Sequence, residues 1–182
     1  MATQVTKTGV FLLESFIARG GVYDILSEAR HLGVSGVVGS VLLRRRGLYT
    51  SEESGVSGFP ENDNIMKWLA TIHGPEKTVY EGEVYKLSLE FGSSYPYKPP
   101  VVRFISRCFH PNVDTSGNIC LDILREEWSA LYTVKSILLS IRSLLSEPNN
   151  RSPMNNQAAL LWSDPEKFRK ALVEYQSGKP EQ

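Results

Sequence analysis

The 182-residue chain sets 20 Lys+Arg against 20 Asp+Glu, and 41% of its residues are hydrophobic. Zero net charge argues against a protein held mainly by phosphate contacts, and against a polybasic membrane binder, because both need a cationic surface. The length suits one domain with a tail and one substantial core. Two cysteines, Cys108 and Cys120, are too few for a disulfide framework, and no CxxC or HxxxH spacing supports a metal site. A reducing intracellular setting without a metal is the expectation.

No apolar run reaches the length of a membrane span, and Val10-Phe11-Leu12-Leu13 is cut by Glu14 before it makes a secretory signal. Residues 1–54 hold Gly20-Gly21, Gly33, Gly36, Gly39 and Gly47 but none of the ten prolines. Val22 to Leu32 reads as a short helix with Val22, Ile25, Leu26 and Ala29 on one face. Arg44-Arg45-Arg46 reads as a solvated basic cluster.

Strand signals begin further on. Ile65 to His73 places Met66, Trp68, Ala70 and Ile72 on one face, and Gly74-Pro75 ends it. Val84 to Phe91 alternates more cleanly, with Tyr85, Leu87, Leu89 and Phe91 facing one way. That period marks an antiparallel strand with one buried side. Tyr95-Pro96-Tyr97-Lys98-Pro99-Pro100 is neither helix nor central strand, because three prolines remove donors and restrict their neighbours. Val101 to Ile105 is a third strand.

The remainder is helical. Val134, Ile137, Leu138, Ile141, Leu144 and Leu145 fall at helical spacing, closed by Pro148. Asn155 or Asn156 caps a short helix through Trp162. The last helix opens on Ser163-Asp164-Pro165-Glu166, either as a Ser163/Glu166 capping box or with Asp164 as cap and Pro165 in the first turn. Phe168, Leu172 and Tyr175 form its stripe and Gly178 ends it. Strands followed by helices make an α+β pattern, with no βαβ alternation.

Between the third strand and the core helix lies His110-Pro111-Asn112-Val113-Asp114-Thr115-Ser116-Gly117-Asn118-Ile119-Cys120-Leu121-Asp122. Residue types alone leave Cys120 between buried hydrophobe and nucleophile, and His110 between structural residue and base of a papain-like pair. The combination of His110-Pro111-Asn112 with Cys120 ten positions after the histidine resembles the active-site signature of ubiquitin-conjugating enzymes. Gly74-Pro75, Thr78-Val79-Tyr80-Glu81-Gly82, the Tyr95–Pro100 segment, Trp128-Ser129 and Glu147-Pro148-Asn149 extend the likeness over about residues 55 to 176. Asn118-Ile119-Cys120-Leu121-Asp122-Ile123-Leu124, Trp128-Ser129-Ala130-Leu131-Tyr132 and Ser146-Glu147-Pro148-Asn149-Asn150 are most similar to the mitotic branch that serves the anaphase-promoting complex.

The resemblance implies a four-stranded antiparallel meander flanked by helices. It implies a catalytic domain at 55–178, a divergent extension at 1–54 that is partly disordered or forms short helices, and a tail at 179–182. It also implies that Cys120 takes ubiquitin from the activating enzyme as a thioester and passes it to a lysine with a RING-type ligase. Asn112 then either stabilises the oxyanion or supports the loop that does so. His110 and Pro111 shape the turn, and Tyr95-Pro96 is a candidate cis bond.

Ser152 stands where many relatives carry an acidic residue, which raises phosphorylation as a control; Asp122 is the other polar group near the thiol. Tyr97, Ser129 and Ala130 take the ligase-contact positions. The implied partners are ubiquitin, the activating enzyme and a ligase, in cytoplasm and nucleus. Neither nucleic acid nor membrane is implied, and no cofactor is, since ATP is used by the upstream enzyme. The stretch from Ser40 to Ser54 stands where relatives have an amphipathic helix, but Gly47 interrupts it. A catalytically weak ubiquitin- or ligase-binding variant is the alternative that this suggests, and a ubiquitin-like modifier is the alternative cargo.

Overall fold

The computed structural model describes residues 55–61 and 64–178. The expectations for the extension at 1–54, including the Val22–Leu32 helix and the interruption at Gly47, and for the tail at 179–182 lie outside the described residues.

Four strands form an antiparallel meander in chain order: β1 (Val56–Glu61), β2 (Asn64–His73), β3 (Val84–Glu90) and β4 (Val101–Phe104). The alternation read in the sequence is the burial pattern of the sheet. Trp68, Ala70 and Ile72 of β2 and Tyr85, Leu87 and Leu89 of β3 are buried, while Val84, Lys86 and Glu90 face outward. Strand β1 had no periodic signal, because Gly58 and Pro60 interrupt it. It pairs nevertheless, Val56 with Ile72 and Gly58 with Ala70, and the register shifts between Pro60 and Glu61. Proline is tolerated there because β1 lies at the sheet edge.

Helix α1 (Val134–Ser146) starts at a reciprocal cap: Thr133 accepts from the Ser136 N–H while the Ser136 hydroxyl accepts from the Thr133 N–H. Its six buried residues, Val134, Ile137, Leu138, Ile141, Leu144 and Leu145, are those read from the spacing, and it packs across β1 and β2. Truncating one of the fully buried four (Ile137, Leu138, Ile141 or Leu145) to Ala typically costs about 2–5 kcal/mol.

Helix α2 (Asn156–Leu161) is capped by Asn155, whose side chain accepts from Ala158 N–H. Of the two starts open to α3 (Pro165–Ser177), the structure has Asp164 as cap with Pro165 in the first turn. Gly178 ends α3 at φ 71°, a conformation that glycine adopts without a Cβ clash.

The connection from β4 to α1 holds His110, Asn112 and Cys120, and the core grips it. The Tyr80 hydroxyl donates to the Phe109 carbonyl at 2.8 Å, and Phe109 sits between Phe168 and Tyr175 of α3. Every residue from Cys108 to Val113 is buried as a result. The Tyr95–Pro96 bond is cis, as the resemblance suggested.

Candidate active site

A tight turn delivers Cys120. Val113 and Ile119 form an antiparallel bridge closed by Gly117, whose φ is 80° and whose Cβ, if present, would lie 2.1 Å from the Phe104 carbonyl oxygen. Only glycine fits that contact. The Asp114 carboxylate holds the turn by accepting from the N–H groups of Ser116 and Asn118 and from the Asn118 side-chain amide. Cys120 follows Ile119 directly, and its N–H donates to the Asn112 carbonyl at 2.9 Å.

Beneath it lies a network of buried polar groups. His110 Nε2 donates to the Leu144 carbonyl at 2.9 Å, and Nδ1 accepts from the Asn112 N–H at 3.0 Å. These two partners fix the tautomer with the proton on Nε2. Burial pushes the imidazole down to about 4, against the opposing pull of the Leu144 carbonyl. The ring is neutral with its one lone pair occupied, so it has no free base to offer Cys120. Both ring nitrogens are committed to backbone partners, so His110 is not available as the base of a papain-like pair.

The Asn112 side chain makes a closed pair with the backbone of Asn149: Nδ2 donates to the Asn149 carbonyl at 2.8 Å and Oδ1 accepts from its N–H at 2.8 Å. The neighbouring Pro111 carbonyl accepts from the N–H groups of Met154 and Asn155. Both ends of the 149–155 loop are thus tied to the Pro111-Asn112 dipeptide. Asn112 is a clamp in this geometry, with its second Nδ2 hydrogen as its remaining donor. Asn149 went unassigned in the sequence reading, although it stands within the quoted Glu147-Pro148-Asn149 element.

The two thiols differ sharply. Cys108 is 3% exposed and burial pushes its thiol far up, whereas Cys120 is only half-buried. Asp122 is exposed, and its carboxylate accepts from the Ile123 N–H at 2.7 Å at the start of a short 3-10 turn, Asp122–Leu124. Ser152 is exposed on the tethered loop beside Arg151.

The loops that hold Tyr97 and Ser129-Ala130 are joined by Trp128, whose indole N–H donates to the Pro96 carbonyl at 2.9 Å while its ring meets Tyr95 and Tyr132. Tyr97 is 86% exposed, so it does not pack into its own domain. Ser129 and Ala130 are half-buried. The neighbouring Leu131, which sequence reasoning passed over, is 86% exposed.

A family profile described as "Ubiquitin-conjugating enzyme" matches residues 44–176, beginning upstream of the 55 boundary read in the sequence. The chain belongs to the ubiquitin-conjugating enzymes. It is 54% identical over 129 residues to the "Ubiquitin-conjugating enzyme E2-20 kDa" of Schizosaccharomyces pombe, spanning 70% of this chain and 73% of that one. Its fold is similar to the E2 domain of a Toxoplasma gondii ubiquitin-conjugating enzyme, with a TM-score of 0.66 and 31% identity over 75% of this chain and 94% of the other. As a ubiquitin-conjugating enzyme the protein transfers ubiquitin by way of a cysteine thioester, and the family implies ubiquitin, an activating enzyme and a ligase as partners.

Proposed function

We propose that Cys120 is the ubiquitin-carrying thiol of this ubiquitin-conjugating enzyme. One observation carries the reading: the chain has two cysteines, and Cys108 is sealed in the core while Cys120 is only half-buried. The Cys120 thiolate attacks the thioester carbonyl at ubiquitin's C-terminus. A carbon–sulfur bond to Cys120 forms and the activating enzyme's thiolate leaves. A lysine amine then attacks the same carbonyl, the isopeptide bond forms, the Cys120 thiolate departs and the ammonium proton passes to solvent. Asn112 serves the second step by clamping the 149–155 loop and by offering its remaining amide hydrogen to the developing oxyanion.

The Tyr97 and Leu131 side chains, held on two loops that Trp128 joins, support a RING-type ligase surface, because exposed aromatic and apolar anchors are what a partner's pocket takes up. Service to the anaphase-promoting complex, in cytoplasm and nucleus and without a cofactor, is supported by the sequence motifs around Cys120, Trp128 and Glu147. Phosphorylation of Ser152 would place negative charge on the loop that Asn112 holds.

Incubation with activating enzyme, ubiquitin and ATP tests the central step on a non-reducing gel. A thiol-sensitive ubiquitin band is expected for wild type and Cys108→Ala and is absent from Cys120→Ala. A band that persists in folded Cys120→Ala overturns the assignment.

A further inference from the structure

A cleft of about 530 Å³ is lined by Lys77, Thr78, Val79, Ser146, Trp162, Pro165 and Arg169, and Cys120 is not part of its wall. Its volume is in the range of small-ligand sites, roughly 300–1,000 Å³. None of its seven lining residues is acidic, and two are cationic.

The walls are held in place. Arg169 donates to the Val79 carbonyl at 2.5 Å and stands 3.7 Å from the Glu83 carboxylate, which leaves that guanidinium partly neutralised. Lys77 is different. Its backbone N–H is taken by the Glu81 carboxylate at 2.7 Å, but among the described residues its ammonium has no ion-pair partner. Its backbone sits at φ 59°, the one non-glycine at positive φ among the described residues, at a turn also tied by the Thr78 hydroxyl to the Pro75 carbonyl.

Trp162 supplies an aromatic wall. It meets Tyr80, His110 and Phe168 on the core side, yet it is only half-buried, and its indole N–H makes no hydrogen bond among the described residues. Cation, indole and hydroxyl (from Ser146) therefore converge on one opening, apart from the residues assigned above to ubiquitin transfer.

We propose that this cleft is a second binding site, for a small molecule that joins a planar ring to a phosphate, such as a nucleoside monophosphate. The ring packs on Trp162 and the phosphate meets Lys77 and Arg169. Phosphate suits this pair because charge-assisted hydrogen bonds to guanidinium and ammonium are the strong ones, and an aromatic face is sequence-independent in what ring it stacks.

The test is a titration of the full chain with AMP, followed by amide and indole proton–nitrogen spectra. The chain has three tryptophans, so the Trp162 indole signal is one of three to assign. AMP is expected to shift the Trp162 indole together with the Lys77, Thr78 and Ser146 amides, saturably. Lys77→Gln and Arg169→Gln, both at exposed positions, should each raise Kd at least about tenfold, the worth of about 1.4 kcal/mol. Adenosine alone and inorganic phosphate alone should each bind more weakly than AMP. The proposal fails if no saturable shift appears at these residues, if the shift survives in both folded variants, or if phosphate alone binds as tightly as AMP.

Discussion

Cys108 and Cys120 are the same side chain twelve positions apart, and everything that separates them comes from what surrounds each. Cys108 lies in the segment that Tyr80, Phe168 and Tyr175 grip through Phe109, and burial keeps its thiol protonated. Cys120 sits beyond the Gly117 turn, where the chain has left the core but its N–H is still tied to Asn112. What distinguishes Cys120 is rigid backbone support under a side chain that is only half-buried. The core supplies the support, and the turn supplies the access.

The comparison breaks most readily on thiol reactivity. Cys108 can meet a reagent only after the core opens, and opening a core segment costs a large share of a stability of about 5–15 kcal/mol. Iodoacetamide should therefore modify Cys120 at least about 10³-fold faster than Cys108 in native protein, and the two should converge in denaturant. Comparable native rates, read by peptide mass spectrometry, would contradict the burial contrast.

The support beneath Cys120 is tested next. Asn112→Ala removes both bonds to Asn149, and loss of one oxyanion donor typically lowers a rate about 10²–10³-fold. Charging of Cys120 is expected to survive while discharge to free lysine falls by about that factor. Near-normal discharge in a folded variant would leave Asn112 without a role in the second step.

A smaller effect appears with pH. His110 has its folded pKa depressed to about 4 from a usual value near 6.5, so unfolded chains take up a proton that the native network refuses. The contribution is fully present above pH 6.5 and is lost as pH falls towards 4, by roughly 3 kcal/mol in total. Denaturant melts between pH 7 and 4 should show His110→Gln losing less stability over this window than wild type. Parallel losses would mean that His110 does not govern the acid limb.

How much of this was legible in the residues follows from the range of each interaction. The β3 alternation and the α1 spacing carry their own burial pattern, so both elements were readable locally. Strand β1 was not, because Gly58 and Pro60 hide a strand that only pairing with β2 reveals. The family signature pointed to Cys120 and Asn112. The reciprocal bond from Asn112 to Asn149 spans 37 positions, and the one from His110 to the Leu144 carbonyl spans 34, so no local pattern announces either. Leu131 went unassigned because nothing local in Trp128-Ser129-Ala130-Leu131-Tyr132 tells an exposed apolar residue from a buried one, and only the structure shows it 86% exposed.

The most direct test of the Cys120 assignment is the chemistry of the bond itself. Cys120→Ser replaces the sulfur with oxygen at the same backbone position, so charging should give a ubiquitin oxyester that resists reductant and is cleaved by alkali. The same reaction with Cys108→Ser should still give the reductant-sensitive thioester of wild type. An oxyester that forms on Cys108→Ser, with a thioester remaining on folded Cys120→Ser, would contradict the assignment.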